Sequence, residues 1–276
     1  MDATLPEDLR LALELADIAD VITMARYRAA DLDVVLKDDM TPVSESDKRV
    51  EIALRRRLAH LRPHDAILGE EFGSSEAWLD AGGPLATGAA QPGRRAWIID
   101  PIDGTMSYVR GMDTWSTLIA LASGGDVQVG VVSMPALGKR WWATRGGGAL
   151  ADGRRIQVSR VSELGDAQLV WSGIEAWDAV GGAQALLKLA RACWRTRGIG
   201  DAWQYMMVAQ GAAEIAVDPE VTLWDLAAVS IVVQEAGGRL TNLAGVPGPG
   251  GGSGLASNGL LHDAALALLD AGAPAP

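Results

Sequence analysis

Basic residues and cysteine are scarce in this chain of 276 residues. Its 24 lysines and arginines are outnumbered by 35 aspartates and glutamates, which gives a net charge of −11 at pH 7. This balance excludes a general nucleic-acid-binding protein, which would need a basic face, and docking on anionic lipid. The single cysteine, Cys193, excludes an intramolecular disulfide and fits a reducing compartment.

Long apolar segments and the motifs of several other enzyme classes are also absent. No apolar run reaches the ~18 residues of a membrane span, and the acidic N-terminus lacks the basic-then-apolar layout of a signal peptide. Three histidines and one cysteine offer no zinc-site spacing, and neither GxSxG nor a Walker-type phosphate loop occurs. We therefore expect a cytoplasmic protein that binds neither nucleic acid nor membrane.

The hydrophobic pattern predicts helices and strands that alternate without strict βαβ periodicity, which favours layered α and β structure. Helices are predicted over residues 6–28, 47–61, 181–193, 201–213, 225–236 and 262–271. Strands are predicted over residues 96–100, 114–123, 127–134, 140–144, 167–174 and 213–217, with a loop over 80–95.

Carboxylates follow apolar segments at several places, which is unusual because an unpaired buried charge is costly. The apolar pair at 67–68 leads into Glu70, and the apolar run at 97–99 leads into Asp100 and Asp103, which bracket a proline turn. That turn can aim both carboxylates and the Ile102 carbonyl at one point. An all-oxygen set of this kind suits a hard cation such as Mg²⁺.

The residues after this turn suggest an anion site beside the cation site. A helix that begins at Gly104 and Thr105 would direct its free backbone N–H groups at the same point. Metal ligands next to such a helix start suggest phosphate chemistry. Asp47 and Asp225 also stand at predicted helix starts, and each can be either a plain helix cap or a member of the site.

Three motifs resemble the paired signatures of the inositol monophosphatase family in order and spacing. They are WIIDPIDGT (97–105), GEE (69–71) and WDLAAVSIVVQEAGG (224–238), and the resemblance covers nearly the whole chain. Within the family, residues 109–121, 140–150, 197–225 and 251–263 look closest to the actinobacterial type of histidinol-phosphate phosphatase. Generic inositol phosphatases usually carry a small residue where this chain has Asp201.

The resemblance implies a layered αβαβα fold and one catalytic domain over residues 1–276, with subdomains of about 1–155 and 156–276. It also implies a homodimer and a Mg²⁺-dependent phosphomonoesterase that uses two to three ions. Carried over by position, the ligands of one Mg²⁺ would be Glu70, Asp100 and the Ile102 carbonyl, those of a second Asp100, Asp103 and Asp225, and those of a weaker third Glu70 and Asp47.

The resemblance also implies roles for the residues around the ions. Thr105, oriented by Asp47, would help to activate the attacking water, with Glu70 as the third member of this catalytic group. The backbone N–H groups of Gly104 and Thr105 would bind the phosphate. Lys37 matches a lysine that lies near the site in the family.

Asp201 and Asp218 decide which substrate we expect. Histidinol carries an ammonium group and an imidazole, and two carboxylates would bind this end through charge-assisted hydrogen bonds, whereas inositol is neutral apart from its phosphate. The alternative is that Asp201 caps a helix and Asp218 is a loop acid.

We therefore expect hydrolysis of L-histidinol phosphate, as in histidine biosynthesis. One alternative is an inositol-1-monophosphatase or a broad-specificity sugar and polyol phosphatase. Another is an inactive binding subunit, against which the intact set of metal-site residues argues.

Overall fold

The fold is described from a computed structural model, which covers residues 5–36, 42–75, 85 and 93–270. The predicted loop over 80–95 falls mostly outside these residues. A short antiparallel hairpin pairs β1 (Val34–Leu36) with β2 (Pro42–Ser44) ahead of the larger elements. No helix among the described residues is long and apolar enough to cross a membrane.

The larger of the two main sheets has eight strands in the order β10-β9-β8-β7-β6-β5-β3-β4. Its strands are β3 (Ala66–Gly69), β4 (Gly73–Ser74), β5 (Arg95–Asp103), β6 (Ser116–Ser123), β7 (Asp126–Met134), β8 (Lys139–Thr144), β9 (Gly148–Ala151) and β10 (Arg154–Arg155). Among the described strands of this sheet, only β3 and β5 run parallel, and the other neighbours are antiparallel.

The smaller sheet has five strands in the order β12-β11-β13-β15-β14. Its strands are β11 (Gln168–Trp171), β12 (Arg195–Gly198), β13 (Ile215–Asp218), β14 (Arg239–Thr241) and β15 (Gly254–Ser257). β11 runs parallel to both of its neighbours, and β15 is antiparallel to β13 and β14.

Helices cover both faces of the two sheets. Those within the described ranges are α1 (Leu5–Arg26), α2 (Glu45–Leu61), α3 (Thr105–Val109), α4 (Ile174–Ala179), α5 (Ala183–Ala192), α6 (Asp201–Ala209), α7 (Leu223–Glu235) and α8 (His262–Asp270). α1 and α2 pack on the outer face of the large sheet, while α7 contacts both sheets and α6 packs beside it. α5 and α8 pack together outside the small sheet, so the layers follow the predicted αβαβα order.

The central elements β5 and α7 consist largely of consecutive apolar residues because they are buried on both sides. On β5, Trp97 and Ile99 face the cluster under α1 and α2, whereas Ile98 faces the cluster around α7. A strand covered on both faces needs apolar residues at every position. α7 is apolar around most of its circumference because it lies between two sheets.

All the predicted helices and strands are present, most of them with shifted ends. The helices predicted from Asp47 and Asp225 begin earlier, because Ser44 and Thr222 occupy the N-cap positions. β5 continues through the proline turn to Asp103, and β11 ends at Trp171 rather than at residue 174. The short strands β1, β2, β3, β4, β9, β10, β12, β14 and β15 were not predicted, because two to four residues carry too little periodicity.

Candidate active site

The parallel pairing of β3 with β5 brings the first two acidic motifs together. Gly69, the last residue of β3, pairs with Ile99, so Glu70 follows beside Asp100. The Glu70 N–H donates to the Ile99 carbonyl at 3.2 Å and extends this register by one residue. The two carboxyl groups are close enough to interact directly.

A register irregularity in β5 places two more carboxylates at the same end of the sheet. The pairing of β5 with β6 is interrupted between Asp100 and Asp103, where Pro101 and Ile102 stand. A bulge of this kind redirects side chains out of the normal alternation. Asp100, Asp103 and Asp225 each offer an oxygen, and these three oxygens lie within 4.8 Å of one another.

The start of α7 orients Asp225 toward this cluster. Asp225 is the third residue of the helix, and its Oδ2 accepts the Thr222 N–H at 2.6 Å and the Thr222 hydroxyl at 3.0 Å. This reciprocal arrangement is a capping box. The structure therefore combines the two interpretations left open for Asp225, because one carboxylate both caps α7 and joins the cluster.

Asp47 has the same double role at the start of α2. Its Oδ2 accepts the Ser44 N–H at 2.8 Å and the Ser44 hydroxyl at 2.6 Å, again in a capping box. Its Oδ1 lies 3.3 Å from Thr105 Oγ1, which lies 2.9 Å from the Ile102 carbonyl oxygen. Asp47, Thr105 and Ile102 thus form one hydrogen-bonded group at the edge of the cluster.

Gly104 allows the chain to turn sharply between the cluster and α3. Its φ of +79° lies in the left-handed region that favours glycine. A Cβ at this position would lie 2.7 Å from Asp201 Oδ2, so a larger residue would collide with the carboxylate of Asp201, one of the predicted substrate-binding residues. The close approach of Gly104 and Asp201 joins the start of α3 to the start of α6.

Burial and mutual repulsion raise the pKa values of the clustered carboxyl groups. The pKa of Asp100 is raised well above its ordinary value, chiefly by burial and next by repulsion from Glu70. Burial, then the neighbouring Asp201, does the same to the pKa of Asp103. Burial raises the pKa of Asp47 and that of Asp225 to about 6, against the hydrogen bonds of their caps. Among the described residues, no positive charge therefore compensates the carboxyl groups of this cluster.

The donor set fits a hard metal cation. Oδ1 of Asp100 is buried and has no hydrogen-bond partner among the described residues. An orphaned carboxylate oxygen next to two further carboxylates is what an oxygen-ligated cation would satisfy. These three aspartates could therefore hold a metal ion.

A pocket of about 260 Å³ opens next to the cluster and shares Asp103 and Asp225 with it. None of the ten described residues that line it is basic, and five carry carboxyl groups. The lining residues are Asp103, Ser172, Ala176, Asp201, Ala202, Tyr205, Asp218, Glu220, Val221 and Asp225. The pocket is therefore suited to a group that carries positive charge.

Asp218 and Asp201 occupy this pocket in different ways. Asp218 is buried at the end of β13, where its Oδ2 accepts the Tyr205 hydroxyl at 2.6 Å and an amide N–H of Gln204. Asp201 receives a 3.4 Å hydrogen bond from the Ser107 hydroxyl. Burial and the nearby Asp218 raise the pKa of Asp201 to about 7, and burial also raises the pKa of Asp218.

A family model described as the inositol monophosphatase family matches residues 5–271. The chain belongs to the inositol monophosphatase family. Two curated relatives named histidinol-phosphatase, from Streptomyces coelicolor and Mycobacterium tuberculosis, are each 49% identical to it. The alignments cover 96% of this chain and 97% and 99% of those relatives, respectively.

A solved inositol monophosphatase from Zymomonas mobilis has the same fold. It is 28% identical, has a TM-score of 0.82, and aligns over 98% of this chain and 100% of its own. The predicted family and fold are thus confirmed, as is the resemblance to the histidinol-phosphate type. The prediction that this chain is an enzyme, a phosphatase of the inositol monophosphatase family, is also confirmed.

Within the part of the chain that is described, the structure brings together all the predicted site residues. The residues that meet are Asp47, Glu70, Asp100, Ile102, Asp103, Gly104, Thr105, Asp201, Asp218 and Asp225. Lys37 lies outside the described residues. Sequence reasoning missed Tyr205, which binds Asp218, and Glu220, which lines the pocket. The one sequence feature that could have pointed to Glu220 was its position two residues after the predicted substrate-binding residue Asp218.

Proposed function

We propose that this enzyme hydrolyses L-histidinol phosphate to L-histidinol and phosphate, using bound Mg²⁺. The observation that carries the proposal is the pocket of about 260 Å³, which adjoins a cluster suited to a cation and whose described lining residues include five with carboxyl groups and none that is basic. A substrate with a phosphate at one end and an ammonium group at the other matches this layout. The name histidinol-phosphatase on two relatives 49% identical to the chain supports it.

The residues proposed to hold the ions contribute only oxygen. They are Glu70, Asp100, the Ile102 carbonyl, Asp103 and Asp225 for two ions, and Glu70 with Asp47 for a weaker third. Bound Mg²⁺ supplies positive charge for the phosphate and lowers the pKa of its water. The carboxylates of this chain fix the place of that charge, because caps and backbone bonds orient them before any ligand arrives.

Thr105 and Asp47 are proposed to orient the attacking water. The Thr105 hydroxyl has one proton and two neighbouring acceptors, Asp47 Oδ1 and the Ile102 carbonyl. With its own proton donated toward Asp47, the Thr105 oxygen presents a lone pair that can accept a hydrogen bond from the attacking water. When this water gives up a proton, Thr105 would take it as its own proton passes to Asp47 Oδ1. No side chain has to act as a nucleophile, and Glu70 is proposed as the third member of this group.

The phosphate and the cationic end are proposed to bind at opposite sides of Asp103. The N–H groups of Gly104 and Thr105 face the phosphate, while Asp201 and Asp218 hold the ammonium and imidazole end. Protonated histidinol would also favour the ionised form of Asp201, because a neighbouring cation lowers the pKa of a carboxyl group. Substrate binding would thus relieve the repulsion between Asp201 and Asp218.

Inositol-1-monophosphatase activity is the second candidate. The observation that favours it is the 0.82 TM-score to the inositol monophosphatase from Zymomonas mobilis. Hydrogen-bonding groups such as Tyr205 could serve hydroxyl groups, but a neutral polyol would leave the carboxylates at Asp201 and Asp218 without a counter-charge. We therefore favour the cationic substrate.

The proposed metal-dependent hydrolysis can be tested by following phosphate release from L-histidinol phosphate. We expect activity with Mg²⁺, loss of activity with EDTA, and recovery when Mg²⁺ is restored. Asp100→Asn should lose more than the about 10–100-fold typical of residues that only support a ligand. Activity that survives EDTA, or an Asp100→Asn variant as active as the wild type, would contradict the proposal.

We also propose that the enzyme acts in histidine biosynthesis, is cytoplasmic and forms a homodimer. The single cysteine supports a reducing compartment, and the family resemblance supports the dimer. Sedimentation equilibrium of the purified enzyme tests the oligomeric state directly. A mass of one chain across micromolar concentrations would contradict the dimer.

A further inference from the structure

α2 carries a second buried carboxylate, Glu51, one turn after Asp47. Glu51 is fully buried, and its carboxylate accepts three hydrogen bonds. Oε2 accepts the Glu71 N–H at 2.7 Å, and Oε1 accepts the Phe72 N–H at 3.3 Å and Nε of Arg55 at 2.7 Å. These three donors compensate the carboxylate of Glu51 for the loss of its hydration.

The last residue of β3 is shaped around this carboxylate. A Cβ on Gly69 would overlap both oxygens of Glu51, so only glycine lets the carboxylate reach the turn that follows. Gly69 has no positive φ that would otherwise require glycine. The glycine of the GEE motif therefore makes room for Glu51.

The two peptide units that flank Glu70 are held from opposite sides. The Glu70 N–H donates to the Ile99 carbonyl of β5, and the Glu71 N–H donates to Glu51. Because both peptide planes are fixed, the direction of the Cα–Cβ bond of Glu70 is fixed as well. α2 thus sets the position of Asp47 directly and that of Glu70 through Glu51.

We propose that Glu51 is a positioning residue that aims Glu70 at the metal site. This inference rests on the proposed function, because it takes Glu70 as a metal ligand. Glutamate is required rather than glutamine because both oxygens accept N–H groups. A glutamine at 51 would turn an NH₂ donor toward one of these amides. Arg55 completes the arrangement, since it also donates to the Gly73 carbonyl at the end of the same turn.

Glu51→Gln tests the proposal through metal binding rather than through turnover. Titration calorimetry of the metal-free enzyme with Mg²⁺ should give a dissociation constant about 10–100-fold weaker than that of the wild type, as is typical when a residue that supports a ligand is changed. Hydrogen exchange of the Glu71 and Phe72 amides should accelerate in the same variant without Mg²⁺.

Glu235→Gln is the matched control. Glu235 also clamps a turn with one carboxylate, which accepts the N–H groups of Gly146 and Gly148 at 2.8 Å each, between β8 and β9. It belongs to no part of the proposed site, so the Mg²⁺ dissociation constant should stay within about threefold of wild type. If Glu235→Gln weakened Mg²⁺ binding as much as Glu51→Gln, the effect of Glu51→Gln would reflect general destabilisation of the protein. That result would overturn the proposal.

The outcomes separate this proposal from the proposed function. A Glu51→Gln variant that binds Mg²⁺ as tightly as the wild type overturns the positioning role alone. A wild type that binds no Mg²⁺ overturns the metal site and the positioning role together. If Glu51→Gln does not fold, exchange in the wild type decides. Slow Glu71 and Phe72 amides support the clamp, and amides that exchange as fast as an exposed turn contradict it.

Discussion

The backbone N–H of Ala202 donates a 2.7 Å hydrogen bond to Oδ2 of Asp103. Asp103 belongs to the carboxylate cluster, and Ala202 directly follows Asp201 in the substrate pocket. The backbone of Asp201 has a φ of +53°, which is unusual for a residue with a side chain. One peptide unit therefore links the groups proposed to bind the metal and the cationic end of the substrate.

Asp201→Asn should weaken recognition of the cationic substrate selectively. Asparagine tolerates a positive φ, so the bond from Ala202 to Asp103 should persist while the charge is lost. A hydrogen bond to a charged group contributes about 1.5–3 kcal/mol. We expect kcat/KM for L-histidinol phosphate to fall about 10–100-fold, and kcat/KM for inositol 1-phosphate to change far less. Equal losses on both substrates would argue against a role for Asp201 in binding the ammonium group.

Asp201→Gly should be more stable than Asp201→Ala. Both variants remove the same carboxylate, but only alanine keeps a Cβ at a φ of +53°. Left-handed backbone costs a residue with a side chain roughly 1–2 kcal/mol, and the flexibility of glycine offsets about 0.5–1 kcal/mol of that difference. Urea unfolding should therefore favour the glycine variant by about 0.5–1 kcal/mol. An alanine variant of equal or greater stability would show that position 201 is unstrained.

Thr105→Val should reduce kcat strongly, whereas Thr105→Ser should retain most of it. Valine has nearly the shape of threonine but cannot donate to Asp47 or accept from water. General-base assistance contributes about 10²–10⁴-fold, and we expect a loss in that range at saturating Mg²⁺. Steady-state phosphate release checks both variants. Full activity in Thr105→Val would contradict the proposed role of Thr105 in activating the attacking water.

Metal-free enzyme should lose stability as the pH rises from about 5 to 7. The pKa values of Asp47 and Asp225 are raised to about 6 and that of Asp201 to about 7 by burial, so the folded chain binds more protons than the unfolded one in this window. Their stabilising protonated forms are complete below the unfolded pKa and are lost as the pH passes the folded pKa.

Thermal unfolding with EDTA should therefore give a Tm that falls across this range. The increase in Tm caused by saturating Mg²⁺ should grow over the same range, because the ion replaces the lost protons. A Tm without metal that rises from about pH 5 to 7 would contradict the proposal that these carboxyl groups are clustered.

The motifs around the cluster were predictable from the sequence because they are local. Asp100 and Asp103 lie three residues apart around one proline turn, so their convergence needs little long-range structure. Asp47 and Asp225 were recognised as helix-start acids, but their cap partners, Ser44 and Thr222, were not identified. The capping boxes reconcile the structural and functional interpretations of both residues.

The support around the site was not predictable, because it depends on contacts across the fold. Glu51 is one of several charged residues on α2, and only packing against Gly69 shows that it clamps the Glu71 amide. The bond from Ala202 to Asp103 joins residues 99 positions apart. Nothing in local periodicity marks such pairs.

The central claim is that the acidic pocket selects a phosphate ester with a cationic end. The most direct test is the ratio of kcat/KM for L-histidinol phosphate to kcat/KM for inositol 1-phosphate, measured on the same wild-type preparation with saturating Mg²⁺. We predict a ratio of about 10 or more, since a hydrogen bond to a charged group contributes about 1.5–3 kcal/mol. A ratio at or below one would contradict the claim.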